Sequence, residues 1–517
     1  MNMIGTKTTA ALLEPSADYN AMRGYWRKVA AITGGVDAMR KGSRDFLPQF
    51  PNESQKNYAH RLSTSKFTDI YSDIVENIAS KPFSKEVSVK VGKRDDLPEP
   101  LKSIVEDIDG AGNHLHKVAG DVFYYGIHNA IDWIFVDFPS MPEGATLAQE
   151  RAAGARPYWS RVPATRLLWA DTDVIGGLEE FVFVKIHETA LQTVVKNKIT
   201  QEIPVERVRI LKRLKDDKTA NYMPPIWELW ERKNTGRETW EMINGGMITI
   251  GIIPLVPFYT GRRDAGSFNV RPPMRNVAEL QIEHYQQETN LKSARELTAF
   301  PMFGAEGVDP PLDDAGQPIE IRSGPSTVWY SPPVEVGSVG TFKVLEISAS
   351  SLKFLSGEVK ETAAAMRELG RQPLTAGTSG ITQVAAAFAS QKTSSAVQAW
   401  AFNLKDSLER AFGFTMLWIS SSDEPEVNVH TDFAIEIGDD KAPAILMDAY
   451  KEAVISRQTL RNELQRRSIL SPEFNNKEEE ERIASEVPAN NYTDNENTGG
   501  EFETPPAGAK PDPIETA

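Results

Sequence analysis

Three long helical patterns fill the chain from Asn276 to Ile419, and they restrict its possible folds more than any other feature. A helix of roughly 23 residues is about 35 Å long, so each must either find a partner along its length or project from the body. The second pattern, Val344 to Leu369, repeats Leu352, Leu355, Val359, Thr362, Met366 and Leu369 at alternating steps of three and four. This is a heptad seam suited to pairing with another helix. Burying five such apolar side chains at about 2 kcal/mol each supplies on the order of 10 kcal/mol. The third, Val384 to Ile419, opens on Ala385, Ala386, Ala387 and Ala389 and continues through Val397, Trp400, Leu404, Leu408, Ala411 and Phe412 on an ordinary seam. The first, Asn276 to Thr298, reads Gln281, Glu283, His284, Gln286, Gln287, Glu288 and Asn290 through its middle. So polar a rod is expected to have little core to join.

The spacers differ in character. Pro301, Pro310, Pro311 and Pro318, followed by the strand-like Ser326 to Tyr330 and then Pro332-Pro333, predict a small β-containing insert between the first two helices. Between the second and third, Pro373, Gly377 and Gly380 lie among Thr and Ser after Gly370, which predicts a mobile loop.

Upstream, Tyr19, Met22, Tyr25, Trp26 and Val29 mark an amphipathic helix. Leu62, Phe67, Ile70, Tyr71, Ile74 and Ile78 predict one helix over Tyr58 to Ser80, stopped by Pro82. A helix over Asn113 to Tyr125 precedes a buried strand, Ala130 to Phe138. Five more strands are predicted: Leu178–Ile186, Arg207–Leu214, Ile226–Arg232, Glu238–Ile243 and Met247–Ile253, with Asn244-Gly245-Gly246 as a turn. The pattern is antiparallel α+β, not a βαβ array. Downstream come a strand at Phe433–Ile437, a helix at Ala442–Ile455 and another from Arg457; the run Glu478–Glu481 then leads into a tail expected to be disordered.

At 517 residues with 40% hydrophobic side chains, the chain can build about two to four domains. It has no cysteine, which excludes disulfides, thiolate metal sites and a cysteine nucleophile. Its 72 acidic against 57 basic side chains give a net charge of -15, which argues against a broad basic face that grips nucleic acid. Met247–Tyr259 is too short for a membrane span and is interrupted by Pro254 and Pro257, and the Thr9–Leu13 run is too slight for a secretory signal.

A search for chemistry returns little. There is no G-x-x-x-x-G-K-[ST] phosphate loop. Gly110-Ala111-Gly112 lacks the third glycine of a dinucleotide loop and reads as a helix-start turn. His114 and His116, two apart on a helix, face different ways and do not suit a shared metal, even with His128 nearby. Asp171 and Asp173 read as turn chemistry before Gly176-Gly177, and Ser379 lacks the spacing of a nucleophile elbow. No catalytic residue, metal ligand or cofactor is nominated.

The order of parts is more informative. A strand-rich body exits through Ile253-Pro254-Leu255-Val256-Pro257-Phe258 into a polar helix, a small insert, a heptad helix, a Gly/Thr loop and a long helix leading back to mixed structure. This resembles the portal proteins of tailed double-stranded DNA bacteriophages. The resemblance implies an α+β, multidomain subunit of wing, stem, clip and crown. An arm, flexible by expectation, would cover 1–16, the wing 17–275, the first stem helix 276–298 and the clip 299–343. The second stem helix would be 344–369, the tunnel loop 370–383 and the long wing helix 384–422. Wing return and crown would take 423–486, and a disordered acidic tail 487–517.

It further implies that Arg371, Thr375, Thr378, Ser379, Thr382 and Gln383 face DNA. Leu352, Leu355, Val359, Met366 and Leu369 would form the stem seam, and Phe303, Val328, Trp329 and Tyr330 the clip contacts. The implied partners are further copies in a ring, dodecameric in the family, passing double-stranded DNA, the terminase large subunit, head-completion or adaptor proteins, and the major capsid and scaffolding proteins. No membrane is implied. The implied place is one vertex of the virion, after assembly in the host cytoplasm. The role would be a conduit for packaging, head–tail joining and ejection, with no enzymatic activity. A wall of net negative charge suits it, because each fixed cation on a phosphate adds affinity that a motor must break. The competing readings are another structural head or connector protein, and a cytoplasmic α+β enzyme.

Overall fold

The computed structural model describes residues 7–8, 12–92, 97–139, 149, 153–196, 199–216, 221–234, 238–264, 266–299, 302–314, 316–317, 328–333, 340–345, 349–370, 383–431, 433, 442–452, 454–466, 470, 474 and 476–486. The chain divides into two compact units, Met1–Ile435 and Glu436–Ala517. Among the described residues no helix is long and apolar enough to cross a membrane.

The first unit is antiparallel α+β, as its patterning predicts. Ser16 caps the Ala17–Thr33 helix by accepting from the Tyr19 amide at 3.1 Å, and the helix buries Met22, Trp26, Val29 and Ile32. The Leu115–Asn129 helix turns through left-handed Ala130 into the strand Ile131–Asp137, which is buried on both faces at the centre of a three-stranded sheet between Leu255–Tyr259 and Tyr158–Val162. A larger antiparallel sheet runs, in order, Leu167–Ile175, Leu178–Lys196, Ile199–Lys212, Ile226–Asn234, Glu238–Met247 and Lys7–Thr8.

Several expectations are corrected. The N-terminal arm, predicted flexible over 1–16, pairs Lys7 with Trp240 and Thr8 with Thr239, and Leu12 is buried beside Val208, Ile210, Trp230 and Trp240. Asn244-Gly245-Gly246 is not a turn: it lies inside a strand, and a Cβ on Gly245 would come within 2.9 Å of the Trp227 carbonyl oxygen. Met247–Ile253 is not a strand either, since the apolar run forms its strand only at Leu255–Tyr259. Asp171 and Asp173 sit in Leu167–Ile175, and the turn follows at Gly176-Gly177. The single helix expected over Tyr58–Ser80 is two, Gln55–Ser63 and Ile70–Ser80. Each has its own cap, Ser54 on the Asn57 amide at 3.2 Å and Asp69 on the Ser72 amide at 2.8 Å.

The largest correction concerns the polar rod. The Arg275–Ala299 helix runs through the core, with Tyr285 fully buried and Gln281, His284, Glu288 and Thr289 at 0, 2, 6 and 1% exposure. Several of its polar groups are bonded there, although His284 Nδ1 and Glu288 Oε2 have no hydrogen-bond partner among the described residues. The Gln281 Oε1 accepts from the Ile70 and Tyr71 amides at 2.9 and 3.0 Å, and its Nε2 donates to the Thr68 carbonyl at 2.9 Å. Thr68 Oγ1 donates to Glu288 at 2.9 Å, while Lys292 donates to the Thr64 carbonyl at 2.7 Å. The break between the two short helices thus presents the backbone that this helix binds.

Beyond it, Met302–Glu306, Val328–Ser331 and Thr341–Leu345 form a three-stranded sheet. Two further helices follow, Ala349–Leu369 and Gln383–Trp418, and then Pro425–Asn428 pairs with Ser88–Val91. In the second unit, Ala442–Lys451 ends earlier than predicted, Arg457–Arg466 follows the cap Ser456, and the Glu478–Glu481 run lies in the helix Asn476–Glu486. Arg461 bonds Glu480 at 3.2 Å. The expected strand Phe433–Ile437 begins at Phe433, which is not in a strand, and the rest of it and the 487–517 tail lie outside the described residues.

Two stability predictions follow. Gln281→Leu leaves two buried amides without an acceptor at about 1–3 kcal/mol each. It should lower stability by about 3 kcal/mol, read as a depressed thermal midpoint, whereas an unchanged midpoint contradicts the clamp. His128 is buried against Tyr124 and Tyr71, ring centroids 4.4 and 5.5 Å away, with neither ring nitrogen bonded. Burial pushes its pKa down to about 4 from 6.5. Unfolding therefore takes up a proton between those values, so stability falls as pH drops from about 6.5 towards 4. Burial pushes Asp132 the other way, up to about 7 despite Arg161 at 2.5 Å, so the informative quantity is wild type minus His128→Phe. That difference should shrink steadily on acidification, and a pH-independent difference would overturn the assignment.

Candidate functional site

The 275–299 and 349–369 helices pack along one another, and the second also contacts the Ile70–Ser80 helix. Their connection continues the pairing: Met302 to Glu306 runs antiparallel to Thr341 to Leu345, from Met302 opposite Leu345 to Glu306 opposite Thr341. The two helices and two strands therefore make one long hairpin, with Val328–Ser331 added in parallel beside Met302–Glu306. The second helix begins at Ala349 and not at Val344, because Val344 and Leu345 belong to the strand.

Within this hairpin the predicted seam is graded. Met366 and Thr362 are buried, Leu352, Leu355 and Val359 are half-buried, and Leu369 is exposed at 49%. Phe354, which the heptad reading passed over, is exposed at 66%. Its position one residue before Leu355 was the available signal, an aromatic side chain off the seam.

At the tip, Phe303 stands opposite Val328 and Val344, and Ala305 opposite Tyr330 and Phe342. Strand alternation therefore puts Phe303, Val328, Tyr330, Phe342 and Val344 on one face and Trp329 on the other. The sequence reading grouped Trp329 with Phe303, Val328 and Tyr330, left Phe342 inside the clip without naming it as a contact, and missed Val344 by assigning it to the helix. Alternation within Thr341–Leu345 carried the signal. Phe303, Trp329, Phe342 and Val344 are all exposed, while Lys343 bonds Glu306 at 2.7 Å on the Trp329 side.

Of the predicted seam of the long Gln383–Trp418 helix, Val397, Leu404, Leu408, Ala411 and Phe412 are buried and Trp400 is half-buried, while the neighbouring Ala401 is fully buried. The helix lies against the central sheet, where Ser407 donates to the Pro257 carbonyl at 3.0 Å and Asn403 to the Tyr259 carbonyl at 3.2 Å. Thr415 accepts from the Trp159 indole at 2.9 Å. Of the predicted loop residues, Arg371, Thr375, Thr378, Ser379 and Thr382 lie outside the described residues, and Gln383 opens this helix.

The remaining sequence candidates have structural tasks. His114 caps the Leu115–Asn129 helix, and His116 accepts from the Val87 amide at 3.2 Å. Asp173 accepts from Tyr222 and Lys215 at 2.6 and 3.1 Å, and these bonds hold its carboxyl down at about 2. Among the described residues no group of three acidic or imidazole side chains could hold a metal.

Residues 273–419 match a family model described as a domain of unknown function (DUF4055), a span that takes in the helical hairpin, its tip and the long helix. Two similar solved structures are "Neck of empty GTA particle computed with C6 symmetry" and "Neck of native GTA particle computed with C12 symmetry". The first is 11% identical with a TM-score of 0.36, covering 80% of this chain and 89% of that one. The second is 10% identical with a TM-score of 0.35, covering 76% and 88%. No curated protein sequence matches the chain. At these TM-scores the overlap is loose, and function has to be read from the chain's own architecture.

The hairpin separates two kinds of residue experimentally. Met366→Ala removes a fully buried side chain and should cost about 2–4 kcal/mol. Phe354→Ser should leave the melting of the isolated chain within about 0.5 kcal/mol of wild type. Equal losses from both would show that Phe354 is part of the monomer's core.

Proposed function

We propose that this chain is a portal-type subunit, a ring-forming conduit for double-stranded DNA at the head–tail vertex of a phage-like particle. The observation that carries the reading is the helical hairpin, rooted in the body by a buried polar helix, tipped by a three-stranded sheet and followed by a 36-residue helix on the central strands. A hairpin rooted at one end and exposing apolar residues along its outer helix and tip is suited to lateral packing against copies of itself. In this reading Leu352, Leu355, Val359, Met366 and Leu369 belong to the packing of the stem, and Phe303, Val328, Trp329 and Tyr330 to the docking surface at the tip.

Arg371, Thr375, Thr378, Ser379, Thr382 and Gln383 would face the DNA. One formal charge among hydroxyl and amide groups suits transient contact, and the chain's net charge of -15 keeps a polyanion from settling on the walls. The partners in this reading are further copies of the chain, passing DNA, the packaging motor at the tip, adaptor proteins, and the shell and scaffold proteins around the vertex.

Mass photometry of the purified full chain should give one dominant closed oligomer, and deletion of Thr375–Gly380 should leave that mass unchanged while reducing DNA packaged per particle. A chain that is monomeric within assembled particles would overturn the reading. A deletion that packages normally would remove the loop from the conduit.

A further inference from the structure

Just before the hairpin, the chain forms a two-stranded ribbon, Arg262–Arg263 against Val270–Arg271, with Arg262 directly opposite Arg271. Like charges in that position repel, since their Cβ atoms stand about 5 Å apart. Gly261 keeps the ribbon tight: a Cβ there would lie 2.1 Å from the Arg271 carbonyl oxygen. Arg262 and Arg271 join Arg275 around a cavity of about 660 Å³ whose described lining holds no carboxylate. Trp400 and Leu369 form part of its apolar wall.

The neighbouring Arg263 shows the contrast. It pairs with Glu179 at 2.5 Å and lies 4.9 Å from the centre of the Phe268 ring. Arg262, Arg271 and Arg275 are all exposed, and none has a carboxylate within ion-pair reach among the described residues. Glu279, one turn beyond Arg275, is already held by Lys28 at 2.6 Å. In a chain this acidic, three guanidinium groups around one cavity with no carboxylate partner among the described residues form a local positive site, and a facing anion would relieve their repulsion.

We propose that Arg262, Arg271 and Arg275 bind phosphate groups of a nucleic-acid backbone. Guanidinium groups suit phosphate oxygens, which they can meet with two parallel hydrogen bonds. The cavity borders Leu369 and Gly370, where the outer hairpin helix ends, so the contact lies at the entrance to the segment read above as DNA-facing. The assignment of DNA as ligand rests on the portal reading. Three cations give a weak, sequence-independent contact that salt dissolves, and so do not block passage.

The test is fluorescence anisotropy of a labelled 30-base-pair duplex of mixed sequence with the full chain, titrated at several salt concentrations. Each phosphate contact contributes a slope of about 0.9 in log K against log salt. The triple variant Arg262→Gln, Arg271→Gln, Arg275→Gln should therefore lose about 2–3 from the slope and at least tenfold in affinity at low salt. The corresponding Arg→Lys triple should retain most of the slope, which separates loss of charge from loss of fold. A Lys56→Gln, Lys90→Gln, Lys102→Gln control should stay within about twofold of wild type. An unchanged slope in the Arg→Gln triple, or no binding by the wild type, overturns the site. Loss of oligomer with DNA binding intact overturns it too, and makes the occupant a carboxylate of a second copy. Rings with an unchanged slope would sink the site and spare the conduit, whereas a lost slope in a chain that never closes a ring would do the reverse.

Discussion

Gln281 takes the first two amides of the Ile70–Ser80 helix and returns a bond to Thr68, and this three-bond clamp lets a helix as polar as Arg275–Ala299 run through the core. A buried amide side chain is costly unless its donors and acceptors are met, and here they are met by backbone that would itself be unsatisfied. Glu288 and Lys292 extend the same logic to Thr68 and Thr64. The clamp fixes where the helix leaves the body, and with it the direction of the hairpin that follows. The outer helix then adds Met366 and the half-buried Leu355 and Val359, so that the hairpin is anchored by polar bonds on one strand of its path and by apolar burial on the other.

Much of this architecture was readable from residue spacing. The heptad from Leu352 to Met366 and the seam from Val397 to Phe412 both appear as helices, the second with most of its expected side buried and the first buried at Thr362 and Met366 but only half-buried at Leu352, Leu355 and Val359. The antiparallel sheets followed from alternation and turn residues. Phe67, Ile70, Tyr71, Ile74 and Ile78 share one helical face from which Leu62 stands apart, and that slip in phase, with the caps Ser54 and Asp69, was the signal of two helices. What spacing hid was tertiary. The polar helix looked exposed because hydropathy counts Gln281 and Glu288 as wet, whatever bonds await them. Lys7–Thr8 found a strand edge that no local pattern announces.

The same division holds for the functional residues. Met366 was visible as a seam residue, and Phe303, Val328 and Tyr330 as apolar residues of a small insert. Strand alternation already turns Trp329 away from Val328 and Tyr330, but which of them shares a face with Phe303 depends on register, which the proline-rich sequence does not fix. The arginine cluster needed three further facts: that Arg262 opposes Arg271, that Arg263 is already paired, and that Arg275 joins them around the cavity. Charge accounting over the whole chain, at -15, conceals such a site. In the proposed conduit, an acidic chain with a small cationic cluster would touch a moving polyanion without holding it.

The most direct test of this account is a density map of the assembled full chain with helices resolved. The account predicts an axial hole bordered by the Arg275–Ala299 and Ala349–Leu369 helices of successive copies, with the three-stranded tips gathered at one end. An assembly without a hole, or one in which those two helices point away from the axis, would contradict it.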